Sequence, residues 1–276
     1  MTRVGIVGCG TIGTALAVAI ERDYAEHARV VALTDTVRDR ALSLQQQLRH
    51  QPPIVQLSEL IRRSQLVIEA ATVSIAARVA SLALAANRSV MIMSTGGLLG
   101  HYGRLQRLAR RSKGRLVMPS GGLCGLDGIK AMAVGKLTRL QLTTRKPPRS
   151  LMHAPFVQAR GLKLERLRRP TTIFEGTPAE AIRAFPQNTN VSATMAMAYL
   201  LTHDSAAPDI ATMAVRVVAD PTISVNVHEL EVEGDCGRIM CRLENRPSAN
   251  PKTSELAIRS AVATLRQFFE PIRIGT

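Results

Sequence analysis

Two sets of residues have the types and spacing to do chemistry. Gly8, Gly10 and Gly13 stand in "VGCGTIG" in the pattern G-x-G-x-x-G, and a lone His228 stands in "ADPTISVNVHELEVEG". The first set suits a dinucleotide. The first glycine of the pattern permits a tight turn, the second lets backbone approach a pyrophosphate, and the third lets helix and strand pack closely. Thr11, Ile12 and Gly13 then open a helix whose N-terminal N–H groups and dipole favour an anion. An imidazole, with an ordinary pKa near ~6.5, can take and return a proton at neutral pH.

The elements around the glycines support this reading. "RVGIV" is a strand-like run and "TIGTALAVAI" a helical one. Asp35 closes the next predicted strand, close to the ~20 residues at which a carboxylate meets the adenosine ribose hydroxyls. Its charge would repel a 2′-phosphate, which argues for NAD. Arg38 and Arg40 follow in "TDTVRDR", and either guanidinium could meet that phosphate, so NADP stays open.

Alternation continues through the first half. Strands are predicted at 4–7, 30–33, 66–70, 90–93 and 116–118, with helices at 12–22, 37–48, 58–63, 74–86 and 98–111. Strands alternating with helices predict a doubly wound parallel α/β sheet of Rossmann type. Ser58 is expected to cap its helix. Ser94 and Thr95, just beyond a strand C-terminus, are placed where such sheets bind ligands. After Pro119 the pattern changes to a Gly-rich turn, helices and three successive strand-like runs. This predicts a second α+β domain with a mixed or antiparallel sheet over 119–248, following a dinucleotide domain over 1–118. The segment 249–276 is predicted to form a helix that packs back on the first domain.

If "SVNVHELEVEG" is a strand, Asn226, His228, Leu230 and Val232 share one face, and Glu229, Glu231 and Glu233 face solvent on the other. An inward histidine is either a hydrogen-bonded core residue or a functional base. Asp127 either orients a ligand or caps a helix. His27, His50, His101, His153 and His203 fall in polar, surface-like settings.

Composition bounds the function. The chain has 276 residues, 46% hydrophobic, with 3% aromatic and no Trp, so its core is aliphatic. Its formal net charge of +15 is spread along the chain without interleaved aromatics, which argues against nucleic acid. No apolar run reaches the ~20 residues of a membrane helix. No secretory leader is visible, so a cytoplasmic protein with reduced thiols is expected. Cys236 and Cys241 have four residues between them, a poor metal spacing, and no metal site is predicted.

"SGGLCGLDGIKA", "TTRKPP", "FEGTPAEAIRAFPQNTNVSAT", "ADPTISVNVHELEVEG" and "NPKTSELAIRS" occur in this order. With the glycine motif they resemble the L-aspartate dehydrogenase family over nearly the whole chain. The resemblance implies a homodimeric oxidoreductase that converts L-aspartate to iminoaspartate with NAD or NADP. Iminoaspartate hydrolyses to oxaloacetate and ammonia, or feeds NAD biosynthesis. It implies that His228 is catalytic and that Asn190 and the Cys124 turn contact the cofactor, with Cys in place of the family's usual Ala. Ser94, Lys252 and Thr253 are the candidates for substrate contact, Lys252 and Thr253 alternatively only starting the last helix. The segment "YLLTHDSAAPDIATMA" is longer than the family's usual link. Two other readings are a related dehydrogenase for another amino acid and a non-catalytic NAD(P)-binding regulator.

Overall fold

The computed structural model describes residues 1–186, 190–202, 213–248, 254–272 and 274–275. These divide into two units, Met1–Gly121 with Ile258–Arg273, and Gly122–Ala257 with Ile274–Thr276.

The first unit alternates strand and helix: β1 (Thr2–Val7), α1 (Thr11–Asp23), β2 (Ala28–Thr34), α2 (Arg38–Gln47), α3 (Leu57–Arg63), β3 (Leu66–Glu69), α4 (Val73–Ala85), β4 (Ser89–Ile92), α5 (Tyr102–Arg111) and β5 (Leu116–Val117). The strands form one parallel sheet in the order β2-β1-β3-β4-β5. All four residues of β3 are buried, as a parallel strand covered on both faces requires. Val4 and Ile6 pack into a cluster with Leu16 and Ile20 of α1, Leu44 of α2, and Ala261 and Leu265 from the C-terminal helix.

Two local expectations change. α3 starts after Gln56 without a side-chain cap, and Ser58 lies inside its first turn. The helix expected from residue 98 begins at Tyr102, because "TGG" and "LGH" form short 3-10 turns first. Glycine disfavours a regular helix at that end.

The second unit contains α6 (Leu126–Met132), β6 (Leu137–Lys146), α7 (Pro155–Ala159), β7 (Thr171–Gly176), α8 (Pro178–Ala184), α9 (Asn190–Leu200), β8 (Met213–Ala219), β9 (Asn226–Gly234) and β10 (Gly237–Asn245). α10 (Glu255–Phe269) closes the chain. The sheet runs β10-β9-β6-β8-β7. It is mixed: β6 and β8 pair in parallel and the other neighbours antiparallel. The long connection between β6 and β8, which includes α7, β7, α8 and α9, permits that crossover. α8 starts with a capping box between Thr177 and Glu180. α9 is buried along Ser192–Leu200, which its run of Ala, Met, Tyr and Leu allows.

The outward face of this sheet carries paired charge. Glu229 pairs with Arg145 and Arg242, and Glu231 with Arg139 and Arg238. Alternation predicts these glutamates on the solvent face, as found. Register brings them beside arginines on β6 and β10, where like charges would repel and opposite charges attract.

Candidate active site

In the first unit the sheet order reverses direction beside β1, the position where open α/β sheets bind ligands beyond their strand C-termini. The loop Gly8–Gly10 leaves β1 there. Gly8 has φ +92°, and a Cβ on it would lie 2.6 Å from the Ala70 carbonyl oxygen. A Cβ on Gly13 would lie 1.9 Å from the Gly8 carbonyl oxygen. The protein's own packing therefore demands these two glycines. Gly10 differs: its φ is −80° and a Cβ there would meet nothing within 4 Å. Neither backbone nor neighbours require a glycine, and the open space over its backbone leaves room for a ligand to approach closely. Gly10 caps α1 without a side-chain hydrogen bond, and the first turn holds no acidic residue. The N–H groups of Thr11, Ile12 and Gly13 thus open a helix suited to a pyrophosphate. These residues fit a dinucleotide.

Asp35 braces the glycine loop. Its Oδ2 accepts from the Cys9 N–H at 2.7 Å and its Oδ1 from the Val37 N–H at 2.8 Å. The carboxylate so ties the end of β2 to the glycine loop, and each oxygen retains acceptor capacity for a ribose hydroxyl. Burial and the Asp35 charge push the Cys9 thiol up to about 12, which makes it unreactive. A cleft beside Asp35 is lined by Thr34, Arg38, Ile54, Val55 and Arg62, among others. Arg38 lines it and Arg40 does not. Arg62, paired with Glu59, is a basic residue of the cleft that sequence reading missed.

Ser94 follows β4 as expected, yet its hydroxyl donates to Glu69 Oε1 at 2.9 Å and its N–H to Glu69 Oε2 at 3.1 Å. Glu69 also accepts from the Ala71 N–H at 2.8 Å. Burial raises the Glu69 pKa, and the bonds from Ala71 and Ser94 oppose the rise. This buried carboxylate braces the loops after β3 and β4. Ser94 serves that brace, and its neighbour Thr95 is buried too.

In the second unit, strand alternation puts Asn226, His228, Leu230 and Val232 on one face of β9. Register sets Thr144 of β6 and Leu243 of β10 opposite His228. Thr144 Oγ1 lies 3.1 Å from His228 Nδ1. With Nδ1–H donating to the hydroxyl, Nε2 keeps its lone pair for a proton. His228 is 5% exposed. Burial first, and the charge of Lys146 second, push its pKa down to about 3. The imidazole is therefore neutral at pH 7, its ring lone pair unprotonated, and its surroundings make it a weaker base than an exposed histidine. No cluster able to hold a metal occurs among the described residues.

A family model described as "Aspartate dehydrogenase, C-terminal" matches residues 127–268, and "Homoserine dehydrogenase, NAD binding domain" matches 8–119. The chain is 40% identical to an L-aspartate dehydrogenase of Methanosarcina barkeri over 100% of both chains. It is 34% identical to one of Bradyrhizobium diazoefficiens over 99% of this chain and 94% of the relative. The chain belongs to the L-aspartate dehydrogenase family. It is an oxidoreductase with a pyridine-nucleotide domain. Its fold matches a crystal structure of aspartate dehydrogenase from Thermotoga maritima, with a TM-score of 0.72, 24% identity and 100% coverage of both chains. It also matches a homoserine dehydrogenase from Thiobacillus denitrificans at 0.62 and 12% identity, over 96% of this chain and 72% of that one.

The L-aspartate dehydrogenase motifs fall as follows. Asn190 is the exposed first residue of α9, and its carbonyl accepts from Thr194. Cys124 is exposed in the turn before α6. Partial desolvation by its surroundings first, and then the neighbouring Cys241 thiol, push it up to about 11. Asn245, which sequence reading missed, donates from Nδ2 to the Gly122 carbonyl at 2.8 Å and holds that turn to the end of β10. Asp127 does not cap α6: the cap is Gly125, at φ 77°, and Asp127 stands in the first turn, where its charge suits the helix dipole. Lys252, Thr253, His203 and most of the lengthened 199–214 segment lie outside the described residues. His27, His50, His101 and His153 are exposed. No helix is long and apolar enough to cross a membrane among the described residues.

Proposed function

We propose that this protein oxidises L-aspartate to iminoaspartate with NAD, His228 acting as the base. The observation that carries the reading is a neutral, buried imidazole held through Nδ1 by Thr144 at 3.1 Å, in a chain similar end to end to L-aspartate dehydrogenases. Bound NAD supplies a hydride acceptor for the substrate carbon. Gly10, Thr11, Ile12 and Gly13 hold its pyrophosphate, and Asp35 its ribose hydroxyls. Asn190 and the Cys124 turn add contacts to it.

Oxidation of an amine removes a hydride from carbon and a proton from nitrogen. Aspartate's amino group is largely protonated at pH 7, so it must first give up a proton. His228 Nε2 receives it and releases it to solvent, and the neutral imidazole so regenerated then activates the water that converts the imine to oxaloacetate and ammonia. Lys252 and Thr253 hold a substrate carboxylate, and Ser94 shapes the substrate side through its brace to Glu69. Asp35 favours NAD, because a 2′-phosphate would meet its charge, while Arg38 in the cleft leaves NADP a weaker second cofactor. The reading places the enzyme in the cytoplasm as a homodimer, with iminoaspartate available to NAD biosynthesis.

The test is NADH formation across a panel of amino acids, with NAD titration, on wild type and His228→Ala. Aspartate should be the preferred substrate. His228→Ala should lose at least ~100-fold in kcat while NAD still binds, the lower end for general acid–base groups. Tight NAD binding with no turnover of any amine overturns the reading in favour of a regulator.

A further inference from the structure

Lys146 ends β6 with its side chain 6% exposed, and no other Lys or Arg is buried to this degree among the described residues. The alternation of β6 explains where it points. Leu140, Leu142, Thr144 and Lys146 are all buried and two apart, so they share a face. Across the register they stand beside Val232, Leu230 and His228 of β9. Along this face the residues change from aliphatic to polar: Leu140, Leu142, Leu230 and Val232 first, then Thr144, His228, Lys146 and Asn226. On the other side, β8 places Ala219 opposite Lys146, a small residue that leaves a long side chain room.

A buried ammonium costs several kcal/mol of lost hydration. Here it is kept on the same sheet face as the imidazole, close enough for its charge to act on the ring. An amino-acid dehydrogenase whose substrate carries two carboxylates needs cationic groups to receive them. We propose that Lys146 is a substrate-binding residue whose ammonium holds one carboxylate of a dicarboxylic amino acid beside His228. This rests on the amine-oxidation reading above. It has a consequence for the base. The ammonium opposes a proton on His228, and a carboxylate paired with it cancels that opposition, so the imidazole becomes a stronger base when substrate arrives.

The experiment compares Lys146→Met, which keeps length without charge, and Lys146→Arg, which keeps charge at greater bulk. The readouts are aspartate and asparagine KM, succinate binding to the NADH complex followed by NADH fluorescence, NAD affinity and thermal unfolding. Lys146→Met should weaken succinate binding and raise the aspartate KM on the order of tenfold or more, as loss of a charge-assisted hydrogen bond implies. NAD affinity should stay unchanged, and Lys146→Arg should bind succinate better than Lys146→Met. A loss confined to aspartate assigns the β-carboxylate; a loss shared with asparagine assigns the α-carboxylate. If Lys146 merely fills space, Met fits at least as well as Arg, and that order overturns the proposal. A folded Lys146→Met with aspartate KM and succinate affinity within twofold of wild type overturns it also. A wild type that oxidises no dicarboxylic amino acid removes the underlying reading instead.

Discussion

Thr144 and His228 lie 84 residues apart in the chain, yet register on neighbouring strands brings the threonine hydroxyl to 3.1 Å from the imidazole Nδ1. With Nδ1–H donating to that hydroxyl, the contact holds the tautomer that leaves Nε2 as the acceptor. Thr144→Val keeps shape and removes the oxygen. It should lower kcat about tenfold or more, the cost of one unsatisfied buried partner, with NAD affinity intact. Thr144→Ser should recover most of the rate. Equal kcat for Val and Ser variants in steady-state kinetics would show that the hydroxyl does not set the tautomer.

His228 also sets a pH dependence of stability. Its folded pKa of about 3 lies below the ordinary value near ~6.5 that the unfolded chain recovers. Between these values the unfolded chain binds a proton that the native state does not. Stability therefore rises with pH across that window and is lost as pH falls below ~6.5. Replacing the group by Gln removes this term. The stability of His228→Gln relative to wild type should improve as pH drops from 6.5 toward 4, by up to about 1.4 kcal/mol per pH unit. Urea unfolding at several pH values measures it, and parallel curves for the two proteins contradict it.

Gly10 and Gly13 should respond differently to a side chain. At Gly10 a Cβ meets nothing, whereas at Gly13 it meets the Gly8 carbonyl oxygen at 1.9 Å. Gly10→Val should unfold at nearly the wild-type temperature but bind NAD at least ~10-fold more weakly, because its side chain occupies the pyrophosphate's approach. Gly13→Val should lower stability outright. Calorimetry with NAD titration separates the two, and unchanged NAD affinity in Gly10→Val sinks the cofactor assignment.

Asp35, proposed to hold the ribose, also braces the glycine loop through its bonds to Cys9 and Val37. Asp35→Ser should shift the ratio of kcat/KM values toward NADP, with Arg38 available to the 2′-phosphate. It should also cost about 1–3 kcal/mol of stability, since the Cys9 N–H loses a charged acceptor. Asp35→Asn should keep more of the stability while still losing the charge. A wild type that strongly prefers NADP would mean that Asp35 does not set the preference.

Much of this was legible in the sequence for a local reason. The glycine spacing of 8, 10 and 13, the strand before it and the helix after it are short-range patterns, and the structure keeps them as β1 and α1. Period-two alternation likewise put His228 on the apolar face of β9. Lys146 left a trace of the same kind, two residues beyond Thr144 in "TTRK". Alternation assigns a side chain to a face but says nothing of which strand lies beside it. Only tertiary pairing decided that Thr144 meets His228, that Glu69 receives Ser94, and that Asn245 holds Gly122. Only burial decided the charge states, because desolvation depends on everything packed around a group and not on its neighbours in the chain. A histidine of ordinary type became a neutral imidazole in this way, and the same burial pulls the Lys146 pKa down to about 8 on the same sheet face.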